Sequence, residues 1–262
     1  MTDYSTSIGT SDATSIQLLG QDLAGDLMGQ VGFGELSFWL VMQRRPTRGQ
    51  LRVFEAVLVA LADHGLTPSA IAARLTLTGA PESMQGALAA GLLGGGSRYL
   101  GVTEDAGRFL DDALAEHAED VGELLTDQAF DDLARDAVLT RVAEGGFVPG
   151  LGHPVHKGGD PRTPVLLRIA DEEGLRGPHL RLFEAIGRVH PDVLGRTLPL
   201  NGAGVCGAAL ADLGIPVGIL RGVALLARAA GLLGHLAEEM RRPIGGRIYS
   251  EVDRAADYQP PT

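Results

Sequence analysis

Cysteine occurs once in these 262 residues, at Cys206, and lysine once, at Lys157. A single thiol cannot close an intramolecular disulfide, which fits a reducing cytoplasm. The chain also has no CxxC pair and no HExxH run, so no metal site is expected. Positive charge is scarce. The 22 Lys and Arg face 33 Asp and Glu, giving a net charge of −11 and a pI near 5.0. A nucleic-acid binder needs a basic face to neutralise phosphate, and the composition argues against that class. No basic stretch precedes an apolar run at the N-terminus, so no secretory signal is expected. Period-two alternation is missing over any useful length, which argues against a sheet. What remains is 45% hydrophobic, enough to build a core and too apolar for disorder.

The patterns present are helical. Residues 1–20, rich in Ser, Thr, Asp and Gly, read as a loose arm, and Gln21–Met28 as a short helix. Glu35 to Gln43 reads as a buried helix carrying Trp39. Thr47 through Gln50 is a capping-box signature. It opens a helix over Leu51–Asp63 with Leu51, Phe54, Val57, Leu58 and Leu61 on one face. Gly65 can end that helix in a left-handed conformation, and Thr67-Pro68 starts the next. Ser69–Leu77 is amphipathic, and Glu82–Leu93 is small and apolar, as close helix contacts require. From Thr103 to Ala143, acids stud helical faces, with Leu110, Leu114, Leu124, Leu125, Leu133 and Leu139 expected to face inward. Thr163–Glu173 and Pro178–His190 are two further amphipathic helices, and residues 250–262 read as a loose tail. The expected fold is all-α in two lobes. Residues 21–97 with 214–262 would form the larger lobe and 98–213 the smaller.

Pro216–Met240 is long and very apolar, yet Arg221, Arg228 and His235 recur on it every seven residues. Seven residues is nearly two turns, so the three lie in one stripe. An arginine at the centre of a bilayer helix costs about 3 kcal/mol, so no membrane span is expected. Salt bridges to the acidic lobe, or an anionic ligand, would satisfy the stripe. Gly202-Ala203-Gly204-Val205-Cys206-Gly207 matches GxGxxG literally. No strand precedes it, however, and Asp212 comes too early for the acid of a dinucleotide site. These glycines more simply let a helix start pack tightly against a cleft.

Gly146 to Arg162 stands apart. Five glycines and three prolines exclude helix and strand, and the same stretch holds His153, His156, Lys157 and Arg162. It is either a surface turn with solvated charges or a mobile loop that closes on an anionic substrate. His64, between Asp63 and Gly65 at a helix end, is either a capping histidine or a partner of that loop.

Pro149-Gly150-Leu151-Gly152-His153-Pro154-Val155 with Asp160-Pro161-Arg162 resembles the active-site loop of the citrate synthase superfamily, nearest to its citryl-CoA lyase branch. Ala62-Asp63-His64-Gly65, Gly91-Leu92-Leu93-Gly94, Leu200-Asn201 with Asp212-Leu213-Gly214, and Arg228 through Gly234-His235 resemble further elements of that branch, in order, over about residues 28–250. The resemblance implies a two-lobed helical homodimer acting on coenzyme A thioesters in a cleft between lobes. By that likeness His64 and His153 polarise the substrate, with His156 an additional candidate. Arg162 and Arg228 clamp carboxylates. Arg242 is a third clamp, supplied across the dimer, with Arg247 its rival. Gly150, Leu151, Gly152 and Lys157 lie along coenzyme A. The implied reaction is carbon–carbon cleavage of a 3-hydroxyacyl-CoA to an acyl-CoA and a keto acid. The alternatives are condensation on another acyl-CoA and a silent CoA- or carboxylate-binding homologue. The sequence departs from the family at Ala203, where the catalytic aspartate belongs, and at Gly94, where citrate synthases place a histidine. Asp212, Cys206, His156 or a water could stand in for the acid.

Overall fold

The computed structural model describes residues 4–116 and 126–261. Leu124 and Leu125 lie outside the described residues. Eleven α-helices are described: α1 (Phe33–Met42), α2 (Arg48–Ala62), α3 (Pro68–Gly79), α4 (Met84–Leu93), α5 (Val102–Glu116), α6 (Asp127–Ala143), α7 (Arg162–Glu172), α8 (Pro178–Leu194), α9 (Gly202–Asp212), α10 (Leu220–Arg241) and α11 (Gly245–Ala255). The expected all-α, two-lobed class is what the chain adopts.

Local chemistry sets the helix starts. Thr47 Oγ1 accepts the Gln50 N–H at 3.2 Å while Gln50 Oε1 accepts the Thr47 N–H at 3.1 Å, closing the capping box that opens α2. Thr67 caps α3, with Pro68 in its first turn. Asn201 caps α9 through Oδ1, which accepts the Gly204 N–H at 2.8 Å.

The arm and the tail depart from expectation. Strands β1 (Gly9–Ser11), β2 (Ile16–Leu18) and β3 (Gln21–Asp22) form a small antiparallel meander where a loose arm was expected. Such strands are too short for alternation to register. The first turn is organised by Asp12 Oδ1, which accepts the Thr14 and Ser15 N–H groups. Residues 250–255, read as tail, continue α11. Leu139 is half exposed rather than inward, while Leu110, Leu114 and Leu133 are buried as expected.

Two apolar clusters organise the helices. The larger runs through α1, α2 and α5–α10; the smaller joins α3 and α4 to the C-terminal half of α10 through Ala73, Leu77, Ala87, Leu232 and Leu236. Val217–Arg241 is long and apolar enough to cross a membrane by length and composition. Here α10 packs on α2, α3, α4 and α5 and carries buried Arg228 and Glu239.

Asp212 ends α9 by capping α8. Its carboxylate accepts the His179 and Leu180 N–H groups, each at 3.0 Å, and Oδ1 lies 2.9 Å from His179 Nδ1. Burial pulls the His179 pKa down, but Asp212 and then Asp111 outweigh it, and the net shift is upward. A raised pKa means the native state binds the proton more tightly than the unfolded chain. The resulting stability is complete below about pH 6.5, the unfolded histidine's value, and fades as pH rises through the folded one. His179→Gln is therefore expected to lower the urea midpoint most near pH 6, with the gap to the native chain narrowing in alkali. A gap that widens with pH would refute this.

Candidate active site

The glycine-rich loop and the start of α9 are laced together. Gly152 donates its N–H to Pro199 O at 2.7 Å, Asn201 donates its N–H to Gly150 O at 2.8 Å, and Asn201 Nδ2 donates to Gly152 O at 2.8 Å. Leu151 and Leu200 thereby pair as an isolated antiparallel bridge. Two glycines permit this approach. A Cβ on Gly204 would lie 2.6 Å from Gly150 Cα, and Gly150 itself has φ of +88°. The GxGxxG stretch thus serves packing, as expected.

The loop borders a cleft of about 830 Å³ whose walls include His64, His153, Arg162, Asn201, Ala203 and Arg228. The His64 and His153 rings stand 5.2 Å apart, and His156 lies 4.4 Å from His153 and 5.5 Å from His64. His153 Nδ1 accepts the backbone N–H groups of Val155 (3.1 Å) and His156 (2.9 Å). A nitrogen accepting two amides keeps its lone pair, so the ring proton of neutral His153 sits on Nε2. Burial, then the neighbouring charge of His156, lowers the His153 pKa further than Asp160 raises it, with His64 and Arg162 acting in the same sense as burial. His153 is therefore built as a neutral N–H donor.

Nitrogens of the three imidazoles fall within 4.8 Å of one another, a grouping that invites a metal ion. The tautomer opposes one. With Nδ1 committed to amides and Nε2 protonated, His153 has no lone pair to offer a cation.

Arg162 is held by a fork. Its Nε and Nη2 donate to Asp160 Oδ1 (3.0 Å) and Oδ2 (2.7 Å), and Nη1 donates to Ala60 O at 3.1 Å. Asp160 is buried, which alone would raise its pKa. Hydrogen bonds from Arg162 and from the Gly202 and Arg162 N–H groups reverse that and hold the carboxylate far below its usual range. Arg228 is 4% exposed and has one long bond, Nη1 to Asp63 Oδ1 at 3.4 Å; its Nε has no partner among the described residues.

Behind these side chains runs a relay that the sequence did not announce. Buried Arg74 donates from Nε (3.2 Å) and Nη2 (2.9 Å) to His235 Nδ1. A guanidinium only donates, so His235 carries its proton on Nε2 and gives it to Asp63 Oδ1 at 2.9 Å. Asp63 in turn accepts the Gly65 N–H at 2.8 Å and so sets the turn bearing His64. Burial would raise the Asp63 pKa; the Gly65 N–H, His235 and the His64 N–H together lower it. A lone arginine on the otherwise uncharged inner face of α3, and Asp63 beside His64, are the available signals.

Several expected site residues stand elsewhere. His156 touches the other two rings but is absent from the cleft wall. Lys157 is exposed and borders a separate shallow depression with Glu184 and Arg188. Arg242 and Arg247 are exposed and outside the cleft, Arg247 pairing with Glu251. Arg221 and His235, two of the three stripe residues, follow the salt-bridge alternative, with Glu104 and Asp105 for the first and Asp63 for the second. Neither side-chain substitute proposed from α9 for the acid missing at Ala203 reaches the cleft. Asp212 is spent on α8, and Cys206 is fully buried, which pushes its thiol up to about 12. Ala203 itself is half-buried in the cleft wall, where Asp105, paired with Arg221, is the one acidic residue among the described residues. Asn201, the cap that grips the loop, is a site residue that the sequence marks only as part of a motif.

Residues 23–249 match the family model described as citrate synthase, C-terminal domain. Citryl-CoA lyase from Hydrogenobacter thermophilus superimposes with a TM-score of 0.83 at 29% identity, over 99% of this chain and 96% of that one. ATP citrate lyase from Methanothrix soehngenii, in complex with citrate and coenzyme A, superimposes with a TM-score of 0.76 at 22% identity, over 100% of this chain and 42% of that one, a likeness of fold alone. ATP-citrate synthase beta chain protein 1 of Oryza sativa subsp. japonica is 26% identical over 226 residues, 80% of this chain and 35% of that protein, so the chain spans about a third of such curated relatives.

Proposed function

The chain belongs to the citrate synthase family, and from that premise we propose that it is a coenzyme A thioester carbon–carbon lyase of the citryl-CoA lyase type. The observation that carries this reading is the meeting, in one cleft, of the His153 Nε2–H donor with Arg162 and Arg228. An oxygen gaining negative charge as a carbon–carbon bond breaks is stabilised by a donor fixed beforehand, and carboxylates are gripped by guanidinium groups. In the cleavage direction the 3-hydroxyl oxygen accepts from His153, and its own proton passes to His64. The Cα–Cβ bond breaks, the Cβ–O bond becomes the carbonyl of a keto acid, and the bonding pair remains on the acyl-CoA as an enolate. Return of the proton held on His64 to that carbon, through water, completes an acyl-CoA and restores the neutral imidazole. The thioester lies along Gly150–Gly152, close to exposed Phe147. The working unit in this reading is a cytoplasmic homodimer, with Arg242 turned toward the partner's cleft.

A second reading is favoured by one feature. The Ala203 methyl cannot move a proton, and among the described residues no unpaired acid lines the cleft. A silent CoA- or carboxylate-binding homologue would look like this. Citryl-CoA offered to the native protein distinguishes the two. The lyase releases acetyl-CoA and oxaloacetate, seen by chromatography. The binding protein shows a CoA-dependent rise in melting temperature, as mass action requires of a ligand of the folded state, with no product from any 3-hydroxyacyl-CoA tried. If neither appears, both readings fail.

A further inference from the structure

His156 is the expected site histidine that stands off the cleft wall, yet its ring touches both histidines that line it, His64 and His153. The backbone around it is tightly closed. Lys157 donates its N–H to Val155 O at 2.9 Å, and His156 donates its own to His153 Nδ1, also at 2.9 Å. The residue whose amide grips one edge of the His153 imidazole is thus the residue whose ring meets it, at a centroid distance of 4.4 Å and an interplanar angle of 31°. That is the near end of the spacing of about 4.5–7 Å at which aromatic rings pack, in an attitude closer to parallel than to edge-on.

Hydrogen bonds at one edge leave a ring free to swing. The Val155 and His156 amides fix which nitrogen of His153 accepts, but both lie at Nδ1, and neither restrains the tilt of the plane about that edge. A flat neighbour against the ring removes that freedom. The His156 ring nitrogens make no hydrogen bond among the described residues, so its side chain is engaged by the other two rings. Charge adds to contact. Nitrogens of the three imidazoles lie within 4.8 Å, so a proton on one opposes a proton on another. Burial first, then His156, with His64 and Arg162 behind them, disfavour the charged form of His153 against the pull of Asp160.

We propose that His156 is a positioning residue for His153, its ring holding the plane of the imidazole that carries the Nε2–H donor. A side chain off the cleft wall does not touch substrate, so its effect reaches the reaction through the two rings it contacts. The kinetic consequence rests on the lyase reading. The contact between the rings does not, and can be read without turnover.

Two variants of the full-length protein separate the face of the ring from its nitrogens. His156→Ala removes the flat neighbour, and His156→Phe keeps it without a group to titrate; both leave the backbone N–H on His153 Nδ1. His156 lies outside both apolar clusters, so both variants should melt within a few degrees of the native chain. With histidine ring nitrogens labelled with ¹⁵N, native His153 should show one sharp Nε2–H pattern above the ordinary histidine range. His156→Ala should broaden or split that pattern, and His156→Phe should restore it. In His156→Phe the His153 ring should also titrate at a higher pH than in the native chain, because a like charge has gone. With citryl-CoA, His156→Ala should lose about ten- to a hundredfold in kcat, as a misplaced group does, with KM moving a few-fold at most. His156→Phe should recover most of that loss. An unaltered His153 signal in His156→Ala would overturn the proposal. So would an equal loss of kcat in the two variants, which would make the His156 nitrogens, and not its face, what the reaction needs. If the native chain cleaves no thioester, the lyase reading fails and the ring signals still decide this one.

Discussion

His153→Ala is expected to cleave citryl-CoA about a hundred to a thousand times more slowly than the native chain, the usual loss when one preorganised donor to a developing oxyanion is removed. The loss should fall on kcat. The thioester's grip lies along Gly150–Gly152 and the carboxylate grip on Arg162 and Arg228, so KM should move by a few-fold at most. A pH profile adds a second readout. Protonating His153 would set a new N–H on Nδ1 against the Val155 and His156 amides, which burial and the neighbouring imidazoles already oppose. Followed by NMR across that profile, the His153 ring should therefore titrate below the ordinary histidine range. An unchanged kcat in the variant would remove His153 from the chemistry.

Arg74→Met is expected to cost about 3–5 kcal/mol of folding stability, the penalty for stripping one partner from a buried ion pair. Arg74 is 2% exposed and Glu239, 3.0 Å away, is 4% exposed; Glu238 lies in contact at the rim. Burial would raise the Glu239 pKa, and the Gly245 and Ile244 N–H groups and then Arg74 hold it down. Without Arg74 that carboxylate loses its charge partner, and His235 loses the donors that fix its tautomer. Adding Glu239→Gln should recover part of the loss, because the amide oxygen still accepts the Ile244 and Gly245 N–H groups at 2.9 and 2.7 Å. Denaturant midpoints at unchanged m-value measure both variants. A cost near zero in Arg74→Met would mean that water, not Glu239, solvates the guanidinium.

The helices were legible because their signals are local. The capping box at Thr47, Pro68 in the first turn of α3 and the i, i+3, i+4 spacing of α2 each depend on a few neighbouring residues. The loop at Gly146–Arg162 was legible for the same reason, since its composition excludes regular structure. Distance hid the rest. Nothing local says that His235 would face Asp63 rather than a ligand, because that depends on where α3 places Arg74, 161 residues earlier. Asp212 and Cys206 looked like chemistry in a motif, but α9 turns both into the protein, one onto α8 and the other into the apolar core. His64 and His153 were paired by resemblance, and the fold brings their rings to 5.2 Å.

The bridge between Leu151 and Leu200 closes a long excursion of chain containing α7 and α8. Its two ends are knotted at the cleft by the Gly152–Pro199 and Asn201–Gly150 hydrogen bonds, while the turn between those helices lies away from it. Changes made in that turn meet the Asp212 cap of α8 before they meet the knot. The imidazole of His153 and the methyl of Ala203 keep their separation because the knot, and not the route between its ends, determines it.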